Sequence, residues 1–239
     1  MQSQRESGRK WDELRHVSIR RNYLDFAAGS CLIEMGRTRV LCSASVSEEV
    51  PLFLEGTGKG WVTAEYCMLP NSTPVRVSRD HIQGGRSKEI QRLIGRSMRA
   101  ALDLTKLGPR TLMIDCDVLQ ADGGTRTASI TGAMVALEMA VKKLMAEGKL
   151  TENPIVNRIA AVSIGIVNGQ PCLDLDYIED SRAETDLNLV MNDQGGYIEV
   201  QGTAENGTYS RAQLDQMLAI GEAGIKHLFN LQKQTVGKL

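Results

Sequence analysis

The ten residues Gln120-Ala121-Asp122-Gly123-Gly124-Thr125-Arg126-Thr127-Ala128-Ser129, QADGGTRTAS, separate a strand-like run, TLMIDCDVL, from a helical one, ITGAMVALEMAVKKLMAEG. Paired glycines let a backbone come close to a ligand. The helix that starts there aims free N–H groups and the positive end of its dipole at the same spot. Arg126 in the first turn opposes that dipole, which costs a few tenths of a kcal/mol unless an anion sits between them. An anion site and a plain glycine turn with an exposed arginine both fit these residues.

Outward from this junction, the pattern predicts a strand at 111–119 and a helix from about Thr125 to Ala146 with Ile130, Met134, Leu137, Val141 and Leu144 on its core face. Upstream, residues Val17 to Cys67 read as short strands, with GSCLIEMGRTRVLCSASV forming two around Gly36 in an antiparallel sheet. SKEIQRLIGRSMRAALDL then repeats apolar residues at helical spacing, with Ser87 as the expected N-cap and Pro109 beyond its end. Downstream of EGKLTENPIV come four strand-like runs, IAAVSIGIV, PCLDLDYI, TDLNLVMN and YIEVQGTA. A last helix opens with Ser210 and Gln213 at capping-box spacing. Strands followed by a helix, twice over, predict an α+β chain of two related halves packed as a single domain, 1–239.

Composition narrows the function classes. With 239 residues, 42% hydrophobic and 24% charged, the chain is sized for an ordinary globular core. It shows no run of eighteen apolar residues and no apolar N-terminal leader, so no membrane association is expected and the cytoplasm is the expected compartment. Five scattered cysteines without a C-x-x-C pair read as reduced core thiols, not a zinc site.

The net charge of −1 hides an uneven distribution. Nine basic residues fall between Arg76 and Arg110 against three acids, a candidate polyanion surface. Within it Arg92, Arg96 and Arg99 form one stripe of the predicted helix. Seven acids between Asp174 and Asp193 face Arg182 alone. A solvated surface explains either cluster as well. Asp180 and Asp186 flank a predicted turn, SRAET, which would bring two carboxylates together without a His or Cys, a donor set suited to Mg²⁺ or Mn²⁺. A polar turn is the alternative. EGTGKGWVT lacks the Ser or Thr that a P-loop needs after its lysine, and is expected to be a hairpin or surface loop. His16, His81 and His227 sit in no triad pattern.

Taken together, QADGGTRTASITGA, EIQRLIGRSMRA, GKGWVTAEY, the EDSRAETDLN turn and YIEVQGTAE closely resemble the ribonuclease PH family from about Gly8 to the last helix. The resemblance implies the ribonuclease PH fold, a ring-shaped hexamer of three dimers, and a phosphorolytic 3′ to 5′ exoribonuclease that trims precursor tRNA. On the family's pattern, Arg86, Gly124, Thr125 and Arg126 would hold inorganic phosphate, and Asp180 and Asp186 would be the metal-binding and catalytic carboxylates, with Arg126 sharing the catalytic role. RNA would contact Arg76, Arg79, Arg92, Arg96 and Arg99. Two departures stand out: Asn71, where an arginine is common, begins a basic loop about three residues short, and His16 stands where proline is usual. A non-catalytic RNA-binding ring subunit and a water-using nuclease are the competing readings.

The implied reaction is physically coherent. Phosphate and a phosphodiester repel each other, by about 4 kcal/mol for two unit charges 4 Å apart at an effective dielectric of 20. Two arginines, a helix terminus and a divalent cation would offset that repulsion. A nucleophile that arrives ionised needs no strong general base, so the lack of a poised histidine is consistent.

Overall fold

The computed structural model describes residues 5–79 and 84–237 as two sheets and five helices. The first sheet holds β1 (Val17–Arg21), β2 (Gly29–Met35), β3 (Thr38–Ser47), β4 (Trp61–Met68) and β5 (Thr111–Gln120) in the order β1-β2-β3-β5-β4. Its pairings are antiparallel except β4 with β5, which run parallel. That parallel pair needs a crossover, supplied by α1 (Gly85–Ala100) and the short α2 (Leu104–Leu107). The second sheet, β7-β6-β8-β9, is antiparallel throughout. It comprises β6 (Ile159–Val167), β7 (Gln170–Leu173), β8 (Thr185–Asn192) and β9 (Tyr197–Ala204).

Between the sheets lies α3 (Thr125–Ala146). The five residues expected on its core face are all buried, and so is nearly every other side chain from Thr127 to Val141. The reason is a sheet on each side, approached closely through glycine: a Cβ on Gly29 of β2 would stand 2.1 Å from the Ala136 carbonyl oxygen. The other long helix, α5 (Arg211–Val236), covers the outer face of the second sheet, with Gly221 against Ile164 and Leu189. Strand β6, IAAVSIGIV, is therefore buried on both faces and reads as a continuous apolar run, whereas β3 and β5 alternate because one face of the first sheet is open. One hydrophobic core joins residues of both sheets, α1, α3 and α5.

Several expectations are met and some are corrected. The two strands around Gly36, the strand before the glycine pair, the helix to Ala146 and the Ser210–Gln213 capping box all form. EGTGK is an exposed segment that leads through buried Gly60 into β4. The cysteines are unpaired, and Cys31, Cys42 and Cys116 stand side by side across β2, β3 and β5. Ser87 does not cap α1, which starts two residues earlier with Gly84 at the N-cap. The run PCLDLDYI stays extended only to Leu173. Asp176 and Glu179 then close a capping box that starts α4 (Tyr177–Arg182), so SRAET is a helix end and not a simple turn.

Candidate functional site

The chain brings the predicted anion and acid residues to one cavity of about 500 Å³, whose walls include Arg86, Gly124, Thr125, Arg126, Asp180 and Asp186. Each arrives on a different element. Arg86 stands in the first turn of α1, Thr125 and Arg126 open α3, Asp180 lies on α4 and Asp186 on β8. The first half of the chain thus supplies the cations and free N–H groups, and the second supplies the acids.

Gly123 and Gly124 both adopt positive φ, 78° and 64°, which glycine tolerates best. Their lack of side chains serves the protein as well as any ligand. A Cβ on Gly123 would lie 2.5 Å from the Leu175 carbonyl oxygen, so the glycine lets the backbone ahead of α4 press against the loop. Arg15 pins this contact. It pairs with buried Asp174 and donates to the Asp122 carbonyl at 2.5 Å. Thr38 Oγ1 donates to the Gly123 carbonyl at 2.7 Å and accepts from the Asp122 N–H at 2.9 Å.

The first turn of α3 is held from above by buried Tyr66, whose hydroxyl lies 2.9 Å from Thr125 Oγ1. Arg126 Nη1 donates to Gln201 Oε1 on β9 at 2.8 Å and to Glu89 Oε1 on α1 at 3.3 Å. On the acid side, α4 is fastened by its Glu179, which takes both Arg5 and Arg9 from the N-terminal arm. That anchor fixes the neighbouring Asp180 at the mouth of the cavity. Burial raises the pKa of both acids, and the nearby Asp180 charge raises that of Asp186 further, while Arg86 and Arg126 pull in the opposite direction. Burial therefore outweighs the two arginines, and both acids hold their protons more tightly than in water.

Two neighbouring, partly buried carboxylates are a candidate cation site. The donors here are Asp180 and Asp186, with Asn188 Nδ2 turned toward Asp186 at 3.5 Å. Among the described residues no cluster of three or more His, Cys, Asp or Glu converges. Two carboxylates without nitrogen or sulfur fit Mg²⁺ or Mn²⁺, which fill remaining positions with water and phosphate oxygens.

The predicted RNA contacts divide. Arg76 and Arg79 lie outside the cavity and line a neighbouring depression with Leu69, Pro70 and Asn71. Arg92 and Arg96 are exposed on α1, Arg96 pairing with Glu199 at 2.9 Å. Arg99 lies over the Trp61 ring, 4.4 Å from its centroid, and donates to the Val62 carbonyl, so its guanidinium is already engaged. His81 lies outside the described residues.

Sequence reasoning missed Arg15, Tyr66, Ser163, Asn188 and Gln201. Ser163 and Asn188 had a signal, a polar residue inside an otherwise apolar buried strand. Arg15 had none, because its partner is 159 positions away.

The family assignment follows from matches that span both halves. The 3′ exoribonuclease family (RNase PH), domain 1, matches residues 13–143, and domain 2 of the same family matches residues 157–224. The chain belongs to the ribonuclease PH family. Its two family domains coincide with the two sheets. Among solved structures, rice (Oryza sativa) Rrp46 is 20% identical with a TM-score of 0.77, covering 97% of this chain and 100% of that one. An Archaeoglobus fulgidus exosome with RNA bound to the active site is 22% identical with a TM-score of 0.78, over 95% and 92% of the two chains. An archaeal exosome core is 22% identical with a TM-score of 0.75, over 97% and 91%. At these identities the likeness is one of fold. No helix among the described residues of this ribonuclease PH family member is long and apolar enough to cross a membrane.

Proposed function

We propose that this chain is a phosphorolytic 3′ to 5′ exoribonuclease, acting on precursor tRNA and other RNA 3′ ends in the cytoplasm as a homohexamer of three dimers. The observation that carries the reading is the shared cavity, where a glycine-bounded helix terminus and two arginines stand with two carboxylates. Part of its remaining wall is apolar, with Met68, Val75 and Tyr177, and the last two are exposed. A terminal nucleotide has that same division, an apolar base and a charged phosphate.

Inorganic phosphate would sit at the N–H groups of Thr125 and Arg126, with Arg86 and Arg126 neutralising it. One of its oxygens attacks the last phosphodiester phosphorus. The bond to the penultimate O3′ breaks, the proton of the attacking hydrogen phosphate ends on that O3′, and a nucleoside diphosphate leaves. Asp180 and Asp186 would hold Mg²⁺ or Mn²⁺, which stabilises charge on phosphate oxygens. The protein's own contribution is to bring two anions together and align them.

A second reading is favoured by the comparisons. The three solved structures described above are rice Rrp46 and two archaeal exosomes, which suits a non-catalytic, RNA-binding subunit of an exosome-like ring at least as well. Incubating the protein with a 3′-extended RNA, with and without phosphate, separates the readings. Nucleoside diphosphates formed only with phosphate support the main one. Binding without any product supports the subunit, and monophosphates formed without phosphate mark a hydrolase. Sizing by light scattering tests the hexamer.

A further inference from the structure

The inner face of the second sheet carries a row of polar side chains. Ser163 of β6 stands directly opposite Asn188 of β8, which in turn stands opposite Gln201 of β9. Gln201 holds Arg126, and Asn188 turns to Asp186. Ser163 is 4% exposed, yet its Oγ has no hydrogen-bond partner among the described residues.

The position of that hydroxyl is informative. Ser163 lines the cavity with Arg86, Arg126 and Asp186. Its Oγ would be 3.4 Å from a Cβ on Gly124, the N-cap of α3, so it lies directly beneath the turn whose N–H groups are free. The other hydroxyls there are engaged within the protein. Thr125 Oγ1 meets Tyr66, Thr127 Oγ1 donates to the Gly124 carbonyl at 2.9 Å, and Ser129 Oγ donates to the Thr125 carbonyl at 2.8 Å. A buried hydroxyl without a partner is costly, and proteins rarely keep one that serves nothing.

We propose that Ser163 Oγ–H donates to the phosphate held at Gly124-Thr125-Arg126, which makes it a co-substrate ligand contributed by the second half of the chain. This rests on the phosphorolytic reading above and extends its phosphate site from one sheet to both. A hydroxyl rotates to suit its acceptor, so Ser163 needs no rearrangement when a tetrahedral oxyanion arrives. The anion would then stitch α3 to β6. Ser163 adds no charge, so its contribution is directional and persists at high salt, when the arginines are screened.

The test is phosphate binding by the whole protein, read as thermal stabilisation across a titration with inorganic phosphate, together with the phosphate KM and kcat of RNA phosphorolysis. Ser163→Ala removes the donor, and Ser163→Cys keeps nearly the same size with a much weaker one. Both should bind phosphate roughly tenfold more weakly and raise the phosphate KM similarly, with kcat at saturating phosphate within about twofold of the parent. Without phosphate, Ser163→Ala should melt at or above the parent temperature, because an unsatisfied group has gone. The proposal is overturned if both variants bind phosphate as tightly as a parent that phosphate stabilises. It is also overturned if Ser163→Ala melts well below the parent without phosphate, since the hydroxyl would then be serving the fold. If phosphate does not stabilise the parent at all, the phosphorolytic reading fails with it.

Discussion

Arg15 and Asp174 lie 159 positions apart in the chain and meet in a buried pair, Nη2 to Oδ1 at 2.7 Å, while the same guanidinium holds the Asp122 carbonyl of the glycine loop. One side chain from the N-terminal arm therefore fixes the loop of the first half against the second. Asp174 also has φ of 53°, a left-handed conformation that non-glycine residues seldom adopt, so the site tolerates some backbone strain to place this carboxylate. Arg15→Ala leaves that buried carboxylate with only Arg9 at 3.9 Å and the residue-15 N–H at 2.8 Å, at an expected cost of about 3 kcal/mol. Calorimetry should show the melting temperature falling by roughly 10 °C. A fall of only a degree or two would mean the pair is not holding the halves together.

Asp186 should be a liability to the fold. Burial, then the Asp180 charge, raises its pKa above the ordinary 3.8, so the native state binds its proton more tightly than the unfolded chain does. From 3.8 up to the raised native value, its contribution to stability falls as pH rises, and the full cost is present at neutral pH. Asp186→Asn should therefore melt higher than the parent at pH 7 without metal, with the gain vanishing toward acid pH, and should lose phosphorolysis in Mg²⁺. Unchanged turnover at limiting metal would remove Asp186 from the catalytic set.

Arg126→Ala should act through phosphate. Its guanidinium lies beside the first turn of α3 between Glu89 and Gln201, so losing it removes a cation without opening the core. We expect the phosphate KM to rise at least tenfold, a loss of about 1.4 kcal/mol or more, with RNA affinity changing far less. Equal losses in phosphate and RNA binding would place Arg126 on the RNA instead.

Arg76 and Arg79 test docking apart from chemistry, because they flank the cavity without lining it. For every RNA phosphate that a basic side chain no longer neutralises, the slope of log affinity against log salt becomes shallower by about 0.7 to 0.9. The double alanine variant should weaken tRNA binding with a shallower slope while still trimming short single-stranded tails. Asn71→Arg should strengthen binding. An unchanged slope in the double variant would shift the RNA interface to Arg92 and Arg96 on α1.

The legibility of this protein in its sequence follows the range of each interaction. The strand, glycine pair and helix around Gly124 were readable because turn chemistry and periodicity act over a few residues. The family motifs pointed to Arg86, Asp180 and Asp186, and the fold delivers all three to one cavity. Helix α4 was hidden because its start depends on the exchange between Asp176 and Glu179 inside a run that looks extended. The burial of α3 on both sides was hidden because periodicity reveals one apolar face, while the second sheet that covers the other is distant in sequence. Arg15 and Ser163 gain their meaning from partners across that same distance.

The cost of keeping two partly buried carboxylates together would give mutation a preferred direction. Replacing either acid with a neutral residue should then relieve the fold instead of damaging it, and it leaves the glycine-bounded helix terminus and the sheets intact. A gene copy no longer selected for chemistry would then meet no stability barrier in shedding Asp180 and Asp186, and its product would keep the arginines and the helix terminus of the cavity. On this scaffold, losing the two acids would run downhill in stability, and keeping them would be the work of selection.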